Sequence, residues 1–179
     1  MMKLLDMTRK YGNATYGYPL EPYEVPEGFR GKPSYDYEKC IGCTACAVAC
    51  PSNAINVKLN AKKDKLVWEF DCARCIFCGR CDEVCPTNAV MLSKEFEIAV
   101  KFNKEDLKER GELELQNCEV CHKPFTTKKL IAYDLERLKR VGWSEETLDA
   151  KTHYIRTCQE CKKNIVVEQT NRSFGKAQK

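Results

Sequence analysis

The chain has little of what most catalysts are built from. Histidine occurs only twice in 179 residues, and no nucleophile is paired with a base, which leaves few groups for acid–base or nucleophilic catalysis. No stretch approaches the ~20 apolar residues that a membrane-spanning helix needs. The start, Met1-Met2-Lys3-Leu4-Leu5-Asp6-Met7-Thr8-Arg9-Lys10, lacks the apolar segment of a secretory signal. The expectation is a chain kept in the reducing cytosol. Charge of one sign is scarce as well, since 30 Lys+Arg oppose 26 Asp+Glu for a formal +4. Metal-bound thiolates would lower that figure further, so net charge gives no support to nucleic-acid binding.

What is abundant is cysteine, 13 residues in all. In a reducing compartment, clustered cysteines read as metal ligands instead of disulfides. Eight of them form an internal repeat at an offset of 35: Cys40-Ile41-Gly42-Cys43-Thr44-Ala45-Cys46-Ala47-Val48-Ala49-Cys50-Pro51 returns as Cys75-Ile76-Phe77-Cys78-Gly79-Arg80-Cys81-Asp82-Glu83-Val84-Cys85-Pro86. Asn53-Ala54-Ile55 and Asn88-Ala89-Val90 continue the match, so two copies of one supersecondary unit should share a core. C-x2-C-x2-C-x3-C-P, present twice, is the bacterial two-cluster ferredoxin pattern, in which the fourth cysteine of each run ligates the other cluster. This assigns cluster A to Cys40, Cys43, Cys46 and Cys85, and cluster B to Cys75, Cys78, Cys81 and Cys50. Cys72 also stands at x2 spacing before Cys75, but a register starting there would require cysteine at Asp82; it reads as a spare, packed thiol. Ile41, Val48, Ile55, Ile76, Phe77, Val84 and Val90 read as the apolar shell, with Ala45, Ala47 and Ala49 allowing close backbone approach.

The repeat divides the chain into three blocks. Residues 1–34 hold a short helix and then an extended arm, because Pro19, Pro22, Pro26 and Pro33 forbid regular helix there. The arm's tyrosines suit docking on a partner better than disorder does. Residues 35–95 are the cluster domain, with strands at Ile55–Leu59 and Lys65–Phe70 joined by the polar turn Asn60-Ala61-Lys62-Lys63-Asp64. Residues 96–179 form a charged extension. There a helix begins near Lys128, with Leu130, Ile131, Leu135, Leu138 and Val141 as its core stripe and Gly142 as its stop, and Ser144 starts a second helix.

Cys118-Glu119-Val120-Cys121 and Cys158-Gln159-Glu160-Cys161 give C-x2-C-x36-C-x2-C. Two such turns facing each other make a tetrahedral four-sulfur site, for zinc or for one rubredoxin-like iron, which the spacing does not separate. Cys118-x-x-Cys121-His122 also matches a c-type haem attachment motif, but covalent haem would leave Cys158 and Cys161 without a role. The basic helix near Lys128, Lys129, Arg137, Lys139 and Arg140 reads as a solvated face, and no C₂H₂ or RRM pattern accompanies it. The fold class expected is α+β: a two-[4Fe–4S] bacterial ferredoxin-like domain with an extended N-terminal arm and a small helical C-terminal metal domain built on four cysteines.

The two motifs, the lead-in Phe29-Arg30-Gly31-Lys32-Pro33 and the run from Cys75 to Thr87 resemble the ferredoxin-like subunit of complex I, and more closely its relative in formate hydrogenlyase and other membrane-bound [NiFe] hydrogenases. The arm Ala14-Thr15-Tyr16-Gly17-Tyr18-Pro19-Leu20-Glu21-Pro22 and the block with Cys118, Cys121, Pro124-Phe125 and Cys158-Gln159-Glu160-Cys161-Lys162 are similar to the formate hydrogenlyase branch. The resemblance implies an electron-transfer subunit, not a catalyst by itself, peripheral on the cytoplasmic face of the membrane. Implied partners are the [NiFe] hydrogenase small and large subunits, formate dehydrogenase or other ferredoxin-like subunits, and the membrane arm of the complex, with no nucleic acid. The competing readings are a complex I-like quinone oxidoreductase subunit, a free ferredoxin, and a nucleic-acid-associated zinc or iron–sulfur protein.

Overall fold

The computed structural model describes residues 2–12 and 15–176; Met1 and Ala14, which belong to the motifs quoted above, lie outside the described residues. The first helix, α1 (Met2–Tyr11), precedes the proline-rich arm. Among its described residues the arm has no helix or strand until β1 (Pro33–Tyr35), which pairs antiparallel with β4 (Val90–Leu92) in the register Pro33↔Leu92 and Tyr35↔Val90. Between them run α2 (Ala45–Ala49), the hairpin β2 (Ile55–Leu59) and β3 (Lys65–Asp71), and α3 (Arg80–Glu83). The hairpin closes through Asn60, whose side-chain oxygen accepts from the backbone N–H of Asp64 at 3.0 Å and of Lys65 at 3.2 Å, a local bond that favours a turn over continued strand.

The repeat is one of backbone as well as of sequence. Left-handed conformations recur at the same offset: Gly42 and Phe77, Thr44 and Gly79, Asn53 and Asn88 all have positive φ. The first two bends of each set fall between the cysteines of their run, and the third follows its last cysteine. Phe77 adopts this conformation although a bulky side chain disfavours it. Gly42 has a further constraint, because a Cβ there would sit 2.5 Å from Thr127 Cγ2 and 3.1 Å from Leu113 Cδ1.

Residues beyond 95 extend the cluster domain's own sheet. β5 (Lys108–Asn117) pairs antiparallel with β3, setting Trp68 opposite Gly111, and β6 (Pro124–Thr127) pairs with β5, giving the order β2-β3-β5-β6. The extension therefore carries strands that a reading by helical periodicity omits. Then follow α4 (Lys128–Arg140), α5 (Glu145–Ile155) and α6 (Gln159–Lys176). Thr127 and Ser144 cap α4 and α5 by accepting from the N–H of Leu130 and Thr147. In the α4 stripe Ile131 is buried, but Val141 is exposed, because the helix has already ended there.

The core gathers Tyr35, Ala54, Ile55, Trp68, Phe70, Cys72, Cys81 and Val90. Against this body the arm folds back: Tyr18, Tyr23 and Phe29 all pack around the ring of Phe96, and the Tyr18 hydroxyl donates to Glu97. Lys32 closes the junction through an ion pair with Glu109 at 2.5 Å.

Candidate metal centres

Two internal cavities flank the core, each lined by four thiols. The first is lined by Cys40, Cys43, Cys46 and Cys85, with Ile41, Val57, Trp68, Val90 and Leu113 among its walls. The second is lined by Cys75, Cys78, Cys81 and Cys50, with Pro33, Ile55, Phe70 and Leu92. In each, three thiols come from one copy of the repeat and the fourth from the other. Cys72 lines neither; it is buried in the core, and that burial raises its thiol pKa.

The repeat dictates how the fourth cysteines are held. Cys50 Sγ accepts from the N–H of Ala54 at 3.2 Å, and Cys85 Sγ from that of Ala89 at 3.1 Å. Ser52 and Thr87 hydroxyls stand 3.7 and 3.8 Å from the same two sulfurs. For both cysteines burial opposes the thiolate, yet the backbone N–H groups of Ile55 and Val90, together with these donors, outweigh it and the pKa falls below the usual thiol value. Burial dominates at Cys46 and Cys75, raising both, and it pushes Cys81 up to about 11. Buried thiols of this kind ionise only against positive charge, which is what iron supplies.

The shell differs in part from that read in the sequence. Ile41, Ile55 and Val90 are buried, whereas Val48 and Ile76 are exposed, although Ile76 still borders the second cavity. Trp68 and Leu113, neither of them in the motifs, complete the wall of the first cavity. The alternation of β3 could have drawn attention to Trp68; Leu113 comes from β5, about 70 residues from the first motif, and no local signal marks it.

Cys118, Cys121, Cys158 and Cys161 meet in a third place, with their sulfurs all within 4.8 Å of one another. Cys118 follows β5 and Cys158 precedes α6, so the sheet and the helices each supply one C-x2-C turn. The Cys121 and Cys158 sulfurs are 3.7 Å apart. A tetrahedron with metal–sulfur bonds of about 2.3 Å has edges of roughly 3.8 Å, so the spacing fits one tetrahedral ion. At Cys118, wholly buried, burial disfavours the thiolate, but N–H groups of Cys121, Cys158 and Val120 outweigh it and bring the thiol down to about 6. The Cys161 thiol is pushed up to about 12 by hydrogen bonding to Cys158, by burial and by its other cysteine neighbours. Crowded sulfurs that cannot all ionise together are what a cation resolves. His122 is exposed and His153 pairs with Glu119 at 2.5 Å, so neither joins the four sulfurs.

The 4Fe-4S dicluster domain matches residues 39–89. Formate hydrogenlyase subunit 6 of Escherichia coli (strain K12) is 47% identical over 165 residues, covering 91% of this chain and 89% of that protein. The chain belongs to the formate hydrogenlyase subunit 6 family. The chloroplastic NAD(P)H-quinone oxidoreductase subunit I of Physcomitrium patens is 40% identical over 50 residues, 28% of each chain. A chain in the structure of a membrane-bound sulfane sulfur reductase, an archaeal respiratory membrane complex, is similar at a TM-score of 0.44, with 31% identity over 56% of both chains. Among the described residues no helix is long and apolar enough to cross a membrane.

Proposed function

We propose that this chain relays single electrons inside a membrane-bound, formate hydrogenlyase-type complex. Cys40, Cys43, Cys46 and Cys85 would hold cluster A, and Cys75, Cys78, Cys81 and Cys50 cluster B. The observation that carries this reading is the lining of the two cavities, each with three thiols of one copy and one of the other. Each [4Fe–4S] group, when bound, supplies one-electron oxidation and reduction with a full set of thiolate ligands. The chain's own part is to hold the thiolates, wall the sites with apolar side chains and aim backbone N–H groups at sulfur, as at Ala54 and Ala89.

Family membership supports the partner set: a donor module of the formate dehydrogenase or ferredoxin-like kind, the [NiFe] hydrogenase small and large subunits as acceptor, and a membrane arm with this chain on its cytoplasmic face. Residues 1–34 would dock on those neighbours, 35–95 carry the clusters, and 96–179 form an extension pinned by zinc or iron at Cys118, Cys121, Cys158 and Cys161. Four closed sulfur ligands suit a structural role there.

Serine variants of the reconstituted full chain, read by iron and sulfide analysis and by electron paramagnetic resonance, test the ligand sets. Cys85→Ser should reproduce the spectrum of Cys43→Ser, and Cys50→Ser that of Cys78→Ser; the opposite pairing overturns the assignment. For the partners, the tagged chain recovered anaerobically from native membranes should bring stoichiometric nickel without flavin. Flavin without nickel would place the chain in a complex I-like assembly, and neither would leave a free carrier.

A further inference from the structure

Among the described residues, two buried side-chain polar atoms have no hydrogen-bond partner: the Tyr35 hydroxyl and the Trp68 indole Nε1. They lie in one assembly. The two rings stack with centroids 3.8 Å apart and planes within 5°, and Tyr37 caps the stack edge-on at 4.3 Å. Gly111, opposite Trp68 on β5, makes the room, since a Cβ there would come within 2.2 Å of Tyr37 Cε1. Tyr35 is 9% exposed and Trp68 2%, so water does not satisfy either donor at the surface. An unmet buried donor is costly, and two in one stack call for an acceptor.

Two of the first cavity's thiols, Cys40 and Cys46, pack against the core cluster that holds both rings. Trp68 lines the first cavity beside Cys46, and Tyr35 is stacked on it in the same cluster, although neither side-chain donor completes a hydrogen bond to a bare thiol. The repeat supplies an internal control for what this means. Most residues lining one cavity have a counterpart 35 positions away lining the other: Val57 and Leu92, Thr87 and Ser52, Val90 and Ile55. On that correspondence Trp68 stands where the second cavity has Pro33, and Tyr35 where it has Phe70. Proline has no N–H and phenylalanine no hydroxyl. The copies agree in their thiols and differ in their donors.

We propose that Tyr35 and Trp68 are positioning residues that donate hydrogen bonds to the sulfur atoms of cluster A, and that this sets the two clusters at different potentials. The inference rests on the ligand sets proposed above. A donor aimed at sulfur stabilises the more negative, reduced state, so it raises the midpoint potential of the cluster it touches. Cluster B has no equivalent pair and receives no such shift.

The test uses the full chain with both clusters installed, titrated electrochemically and read by electron paramagnetic resonance. Tyr35→Phe and Trp68→Phe should each shift one midpoint to more negative potential and leave the other in place. The wave that moves should be the one that Cys85→Ser perturbs. Two unmoved midpoints, or two that move together, overturn the inference. Because Trp68→Phe also alters packing, the native chain provides a second readout. With ¹⁵N-indole tryptophan, the reduced cluster A spin should show a nitrogen coupling in spin-echo modulation. Trp143, the other tryptophan, follows α4 in the extension and lines neither cluster cavity. Absence of the coupling overturns the contact. A chain with two cubanes and unmoved midpoints defeats only this inference, whereas a chain without two cubanes defeats the ligand reading as well.

Discussion

Thr127→Val should loosen the cover over the first cysteine run, and the size of the effect can be worked from three contacts. Thr127 is 1% exposed. Its hydroxyl donates to the carbonyl of Ile41, between two of the cysteines, and accepts the N–H of Leu130 at 3.1 Å as the cap of α4. Its methyl lies against Gly42, where the left-handed backbone leaves no room for a side chain. Valine keeps the shape and removes both hydrogen bonds, so the swap is not isosteric in energy. A lost cap costs about 1 kcal/mol, and an unmet carbonyl in a buried residue about 1–3 kcal/mol. The total of about 2–4 kcal/mol, at roughly 2 kcal/mol per molar urea, lowers the unfolding midpoint by about 1–2 M. Thr127→Ser retains both bonds and loses one methyl, worth about 1 kcal/mol. The assay is an anaerobic urea titration of the loaded chain followed by far-UV circular dichroism. A valine variant that unfolds within about 0.3 M of the native chain, or a serine variant as weak as valine, would show that the hydroxyl does not tie the extension to the cysteine run.

Other outcomes follow from the same contacts. Gly111→Ala should cost about 1–3 kcal/mol through overpacking against the Tyr37 ring, read as a lower urea midpoint. Gly31→Ala would bring a Cβ within 2.3 Å of the Glu95 carbonyl and 2.6 Å of the Ser93 carbonyl, neither of which can swing away. It should break the bonds joining Lys32 to Ser93 and Glu95 and release the arm, seen as faster limited proteolysis between residues 15 and 31. A chelator that strips the ion proposed at Cys118, Cys121, Cys158 and Cys161 should raise amide exchange in α5 and α6 while cubane absorbance persists, because those helices meet β5 through that group of sulfurs.

The charge of residues 96–179 and their isolated cysteine pairs read as a separate helical unit, yet β5 continues the cluster domain's sheet. The reason is that β5 alternates polar and apolar residues too sparsely, as Glu112-Leu113-Glu114-Leu115, to announce its partner, and β3 accepts it because one edge of that strand is otherwise open. The helices at Lys128 and Ser144 were easier to locate, since their caps and stop lie within a few residues of the stripe they bound.

Local spacing by itself determined the doubled cysteine run, the hairpin between its two copies and the two C-x2-C turns, because closely spaced thiols and a short polar turn are set by neighbours in the chain. Tertiary structure decided everything that makes the two halves unequal. It brought Gly111 beneath Tyr37, Thr127 onto Ile41 and Leu113 into the wall of one cavity only, contacts between residues about 70 or more positions apart. The sequence repeats its ligands at an offset of 35 and so makes the two sites alike; the fold seats Tyr35 and Trp68 beside the first and Phe70 and Pro33 beside the second. Symmetry of this kind is written in short-range spacing, whereas its breaking depends on which distant strand covers which site.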